Sequence, residues 1–465
     1  MKSSVFWVVF AIIVFLSGCK AFEPSAKIPP ALQIPDNFSA ETNDSEIIKA
    51  WWLGFDSPEL NTLINNALGN SFDLKALKAK IIQAKARIAK ENASFFPGFG
   101  FLLGGQNKRT QKKKSSSESS SYTDTNSWDA SVTGSYTADV WGETKALKQA
   151  QVSNLEAARQ DLRAAMLELT MNITEIWIDI IATRNKKTIL NNQIKINKTL
   201  LELQKLRFMN GKANALDISQ QREALAQANS QLPLLEKQAR LLLHNLSFLS
   251  GKASTNMIKV AANKLPEPLS MPKLGIPSDL IDNRPDIQAA KMRLFSSEWR
   301  ITAAKADLLP SFKLTAQALF SSGKLDLLFN NWVAALGASI AGPVFDGGLR
   351  IAEINRAKAA AEEQLHIYTK IIAKAIFEVE DSLVKIEKQR EFINLLEEEL
   401  NLARLTLKDA SLQYQNGQAS YLSYLIAWTS IEKLERQLVG EQAMFIKEQV
   451  KLYKTLGWGV EIWRE

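Results

Sequence analysis

Trp128-Asp129-Ala130-Ser131-Val132-Thr133-Gly134-Ser135-Tyr136-Thr137-Ala138-Asp139-Val140 alternates without a break: even positions are apolar or small, odd positions polar. Successive side chains of a strand point to opposite faces, so this stretch predicts a strand with one apolar and one polar face. It is long enough for a bilayer, where a tilted strand needs about 9–11 residues. Phe312, Leu314, Ala316, Ala318 and Phe320 repeat the pattern against Lys313, Thr315 and Gln317, and Trp332, Ala334, Leu336, Ala338 and Ile340 repeat it again. Phe99, Phe101 and Leu103 open a fourth, weaker strand. Alternation alone also fits a soluble sheet with one wet face. The flanking Phe95, Phe96, Trp128, Trp332 and Phe345 resemble membrane-interface aromatics and favour the bilayer.

The N-terminus favours it too. Lys2 precedes an apolar run over 5–15, too short for a spanning helix, and the run ends in Leu16-Ser17-Gly18-Cys19. This resembles a lipobox, with cleavage after residue 18 and fatty acyl chains (palmitate) on Cys19, whose thiolate is the nucleophile. Two or more chains anchor stably. Lys20, in place of Asp, resembles an outer-membrane sorting signal. Pro24, Pro29, Pro30 and Pro35 predict an extended strap over 19–38.

The remainder is two copies of one pattern. Asp73-Leu74-Lys75-Ala76 and Pro97 recur as Asp286-Ile287-Gln288-Ala289 and Pro310 at an offset of 213. Phe208-Met209-Asn210-Gly211-Lys212-Ala213 and Gly251 recur as Tyr414-Gln415-Asn416-Gly417-Gln418-Ala419 and Gly457 at an offset of 206. The seven extra residues sit in the first copy, beside a Lys/Ser-rich loop expected at 111–127 and facing the cell exterior. A constant offset broken once is the mark of duplication. The expected layout is a signal at 1–18, the strap at 19–38, a first repeat at 39–252, a connection at 253–285 and a second repeat at 286–465. Strands are expected at about 98–110, 127–141, 311–321 and 331–345.

Two helices, about 143–208 and 349–414, contain no proline or internal glycine. At 1.5 Å per residue each is roughly 100 Å long. Ile386, Ile393, Leu400, Leu407 and Tyr414 recur every seven residues, as do Leu155, Leu162, Leu169 and Ile176, which predicts coiled-coil packing. The two Asn-Gly pairs predict tight turns that fold each long helix back on its successor.

Four strands cannot close a barrel, and lipid forbids an open edge. Several chains must therefore share one barrel, and three supply twelve strands.

Other chemistry is constrained by composition. One cysteine and two histidines, His244 and His366, exclude a disulfide framework and a multi-histidine metal site. No cofactor is expected beyond the lipid on Cys19, and no catalytic residue stands out. The net charge of +8 is interspersed along the helices, which reads as lysine-rich composition, not a nucleic-acid surface.

Trp51-Trp52, Phe55-Asp56-Ser57-Pro58-Glu59-Leu60, Asn70 with Asp73, and Arg284-Pro285-Asp286-Ile287 with Ala290, Leu294, Ala304 and Pro310 together resemble the TolC family, specifically its OprM-like (NodT-type) lipoprotein branch. The resemblance covers nearly the whole mature chain. It implies a mainly α protein with membrane β: a trimeric twelve-stranded β-barrel continued by a long periplasmic α-helical barrel. A small mixed equatorial belt is implied near 39–70, 250–285 and 457–465. The implied function is the passive outer-membrane duct of a tripartite efflux system serving multidrug resistance. Its partners are a periplasmic adaptor and an inner-membrane pump of RND or ABC type. The resemblance places adaptor docking at Asn210, Gly211, Lys212, Asn416, Gly417 and Gln418, with Ala213 and Ala419 beside them. It places a periplasmic gate around Tyr414, Asp217, Ser423, Ile426 and Asp409, with Tyr414 the hydrogen-bonding tyrosine. Ser423 and Ile426 depart from the family's acidic ring, and a plain helix surface or turn remains open at each position. The alternatives are the duct of a type I protein secretion system and an adaptor lipoprotein, which lacks two strand pairs and a duplication.

Overall fold

The computed structural model describes residues 34–39, 50–113, 120–252, 258–272 and 274–459. Cys19, the signal at 1–18 and most of the strap lie outside them. In chain order come a 3-10 turn (Trp51–Phe55), helices α1 (Pro58–Asn70) and α2 (Phe72–Ala93), and strands β1 (Gly98–Lys113) and β2 (Ser120–Ala138). Helices α3 (Glu143–Met209), α4 (Ala215–Leu249), α5 (Asp279–Asn283) and α6 (Pro285–Ala306) follow. Strands β3 (Ser311–Ser322) and β4 (Trp332–Ala341) and helices α7 (Leu349–Gln415) and α8 (Tyr421–Thr455) complete the second copy. The chain divides into two compact units, and α3 and α7, 67 residues each, contribute to both.

The first unit, within 80–158 and 290–368, holds one antiparallel sheet in the order β1-β2-β3-β4. The copies meet where β2 pairs with β3. Its register sorts the side chains. Phe99, Gly134, Ala316 and Leu336 form one rung; Phe101, Val132, Ala318 and Ala334 the next; Leu103, Ala130, Phe320 and Trp332 a third. All point to one face. The opposite face carries Thr133 with Gln317, Ser135 with Thr315, and Thr137 with Lys313, interrupted by one aliphatic rung at Leu102, Leu319 and Val333. Phe101 and Leu336 are 87% and 90% exposed, so the described chain leaves the middle of the apolar face open, with Phe329 and Trp141 packing only on Phe320 and Phe312 near its ends. Lipid does this without cost, whereas water charges about 25 cal/mol for each Å².

The strands depart from expectation at their ends. The ladder expected to give way to a loop over 111–127 continues to Lys113 opposite Ser120. Backbone pairing needs no apolar side chains, and here Thr110 faces Thr123 while Arg109 makes a two-point ion pair with Asp124 at 2.7 and 2.8 Å. β2 stops at Ala138 because Asp139 turns its carboxylate onto the first turn of α3, accepting from Thr144 N at 3.0 Å and Lys145 N at 2.9 Å. β4 stops at Ala341, short of 345, where Pro343 has no N–H for the ladder.

The second unit draws on 34–79, 159–289 and 369–459. Its largest core seats Trp51, Trp52, Phe55, Leu60 and Ile64 on the middle of α3 (Ile173, Trp177, Ile178, Ile181) and on Ile446, Val450 and Tyr453 of α8. Trp51 is fully buried and stacks on Tyr453 at 6.1 Å. Glu59 organises the rim: its carboxylate accepts from Trp177 Nε1 at 3.3 Å, from Ala262 N at 3.2 Å and from Ala261 N. The belt expected to be mixed is helical and extended, with no strand among the belt's own described residues. Its backbone groups find side-chain acceptors and donors such as Glu59 and Arg184, which donates to Val260 O.

The duplication is visible as repeated contact. Gly251 takes φ +69° with its α-carbon against the Asn70 carbonyl, and Gly457 takes φ +78° against the Asn283 carbonyl. Asn70 and Asn283 are themselves related by the offset of 213. A β-carbon would sit 2.2 Å and 2.8 Å from those oxygens, so glycine is required at both places.

Candidate functional site

The predicted functional residues gather at the two turns. α3 ends where Gly211, at φ +67°, lets Gly211 N and Lys212 N donate back to Phe208 O and Arg207 O at 2.9 and 2.8 Å. Asn210 Nδ2 donates to Leu206 O at 2.7 Å, closing another terminal carbonyl. α7 ends the same way: Gly417 at φ +70° lets Gln418 N reach Gln413 O at 2.8 Å, and Asn416 N donates to Leu412 O at 3.0 Å. Asn210, Gly211, Lys212, Asn416, Gly417 and Gln418 are all exposed. The turn role of both Asn-Gly pairs is thus realised, and their surface is free for a partner.

Asp217 is spent on helix capping. Its carboxylate accepts from Asn214 N at 3.1 Å while Asn214 Oδ1 accepts from Asp217 N at 2.8 Å, a reciprocal capping box. Ser423 occupies the same place on α8, its N–H donating to Ser420 Oγ at 3.4 Å. The offset of 206 relates the two pairs, so Asp217 and Ser423 differ in charge but not in backbone role. Ile426 is exposed and lines a groove between α4 and α8 with Gln227, Thr429 and Arg436. Asp409 is exposed on α7.

Tyr414 stands at the centre. Its hydroxyl donates to Gln204 Oε1 at 3.1 Å, and the Arg207 guanidinium lies 4.6 Å over its ring. Tyr421 and Tyr424 complete an aromatic cluster with centroids 5.4 to 6.2 Å apart. Burial, then the neighbouring tyrosines, raises the Tyr421 hydroxyl above the ordinary phenol range, so it acts as a donor at any physiological pH. Gln204, Arg207, Tyr421 and Tyr424 were not legible as a group. The one sequence signal was the pair Tyr421 and Tyr424, three residues apart on one helix face.

Each hairpin below has an apolar seam. Leu190, Ile194 and Ala228 join α3 to α4; Leu396, Leu400, Ile431 and Leu434 join α7 to α8. No group of three or more metal-ligating side chains occurs among the described residues. No helix there is long and apolar enough to cross a membrane.

The outer membrane efflux protein family model matches residues 63–252 and 276–458, one match for each copy. The pyoverdine export outer membrane protein OpmQ of Pseudomonas aeruginosa is 29% identical over 426 residues, 90% of each chain. Its namesake in Pseudomonas putida is 30% identical over 88% of each. The Campylobacter jejuni CmeC outer membrane channel superposes with a TM-score of 0.85 at 24% identity, covering 96% of both chains.

Proposed function

The chain belongs to the outer membrane efflux protein family, and from that premise we propose that three copies close one barrel and one helical duct. It is an outer-membrane efflux channel that extends into the periplasm. The observation that carries the trimeric reading is the open sheet: β1 and β4 each have one partner, and three four-strand rungs of apolar side chains need lipid. Two unpartnered apolar stripes support it. Leu395 and Leu402 on α7, and Leu234, Leu241 and Phe248 on α4, recur every seven residues and are exposed. Each faces outward from its hairpin, where a neighbouring copy would cover it.

The duct does no chemistry of its own. A periplasmic adaptor docks on the two glycine turns and an inner-membrane pump supplies energy, while acyl chains on Cys19 hold the strap in the membrane. Cargo is chosen upstream of the duct. The OpmQ relatives are named for pyoverdine export, which makes pyoverdine the first cargo to assay.

Purified protein should run with the mass of three chains and conduct in planar bilayers. Leu402→Glu and Leu241→Glu should each leave lone protomers without conductance, and Cys19→Ser should lose incorporated palmitate. A wild-type protein that is monomeric and silent in detergent and bilayer overturns the reading.

A further inference from the structure

The four strands do not end together. β3 stops at Ser322, opposite Trp128, and β4 starts at Trp332, opposite Phe320. β1 and β2 run on as a two-stranded ribbon, 106–113 against 120–127, beyond the lipid-facing rungs. At about 3.4 Å per residue its eight paired positions cover roughly 27 Å. The second copy closes its hairpin without such an extension, so the sheet itself does not require one.

The ribbon sorts its charges by face. On the face that continues the apolar side of the sheet, Arg109 and Asp124 neutralise each other through two hydrogen bonds at 2.7 and 2.8 Å. The other face continues the polar side, the one that carries Thr133 and Gln317. Lys108 and Lys112 stand there, opposite Thr125 and Ser121 in the ladder. Both lysines are exposed, and neither has a carboxylate partner among the described residues. Deeper on the same face Lys313 is likewise exposed and unpaired among the described residues. The single acid on that face of the described strands, Asp129, accepts from Ser321 Oγ at 2.6 Å. Lysines can guard the free edges of a ribbon against other chains, but that task asks for charge, not for charge on one face.

We propose that Lys108 and Lys112, repeated around the mouth of the duct and preceded along the lumen by Lys313, form a positive collar that favours the exit of anions. The cargo class it suits is therefore anionic solutes. The proposal rests on the channel reading above and deepens it: cargo is still chosen upstream, and the collar eases release of the negatively charged part of it. Rings of basic side chains select anions in pores, and a low-dielectric wall strengthens their field. Three lysines about 10 Å from a passing monovalent ion in water raise the local anion concentration about twofold at 0.1 M salt and about fourfold at 0.01 M.

Reversal potentials of purified full-length trimers in potassium chloride gradients test it, since all other charge is common to wild type and variant. In Lys108→Gln with Lys112→Gln, chloride loses that enrichment and potassium loses its depletion. The chloride-to-potassium permeability ratio should fall about fourfold at 0.1 M salt and further at 0.01 M. Arg109→Gln with Asp124→Asn strips the opposite face at the same height and should leave the ratio within about 1.5-fold of wild type. If the double lysine variant does not assemble, the two single variants decide, each with a shift of about twofold. An unchanged ratio in the lysine variants overturns the collar. So does an equal shift in the Arg109 and Asp124 variant, or a shift that does not grow as salt is lowered. Wild-type trimers that never conduct refute the channel reading, a different failure from lysine variants that match a conducting wild type.

Discussion

Arg284→Met is a severe test of how the second unit is held. Arg284 is buried, and its guanidinium makes a two-point pair with Asp286 at 3.1 and 2.8 Å. It also reaches Glu378 on α7 at 2.8 Å and donates to Thr455 O, at the end of α8, at 3.0 Å. One side chain thus ties the start of α6 to α7 and α8. Removing one partner of a fully buried pair costs about 3–5 kcal/mol. Here the Asp286 and Glu378 side chains keep 42% and 31% exposure, so water rescues them in part. The carboxylates then account for about 2 kcal/mol, and the stranded Thr455 carbonyl for about 1 more. A loss of about 3 kcal/mol per 465-residue chain lowers the melting temperature of the purified trimer by roughly 3 °C, read by tryptophan fluorescence in detergent. The pH arm has a fixed sign. Burial acts to raise the Asp286 pKa, but the hydrogen bond and charge of Arg284 outweigh it and hold the carboxyl below its ordinary value. A depressed carboxylate stabilises fully above its unfolded pKa, about 3.9, and loses that contribution as pH falls through the folded one. The gap between wild type and Arg284→Met should be constant from about pH 8 to 5 and narrow below about 4. A variant melting within about 1 °C of wild type at pH 7, or a gap unchanged at pH 3, refutes the argument.

Two further outcomes follow from geometry. Gly251→Ala and Gly457→Ala should each cost more than about 1–3 kcal/mol, because each combines positive φ with a clash against a carbonyl. Equal melting of either variant and wild type would show that the backbone relaxes there. Ala316→Arg, on the apolar face, should cost about 2–4 kcal/mol and reduce trimer in the outer membrane, while Thr315→Arg, one residue away on the polar face, should assemble normally. Equal yields from quantitative membrane fractionation would mean that the sheet faces have been assigned the wrong way round.

Much of this architecture was readable from the chain, because its signals are periodic and local. Trp128 to Val140 alternate whatever lies beside them, and the face they define is the one the register assembles from four strands. The glycine turns were legible because positive φ selects glycine at 211 and 417. The polar hairpin beyond Thr110 was not, since Gln111, Tyr122 and Thr125 read as loop until the ladder pairs them.

What the sequence settles alone is therefore period and punctuation: strand faces, helix lengths, the duplication and the places where the chain reverses. Tertiary structure decides partnership. Asn197, Gln221 and Glu432 read as ordinary polar positions on helix surfaces, and only the meeting of segments more than 200 residues apart turns them into a buried chain of hydrogen bonds. Arg284 is a motif residue whose burial depends on where α7 and the end of α8 pass. The physical reason is that hydrophobic patterning fixes which side of an element is covered, while a polar side chain takes its meaning from the one atom opposite it.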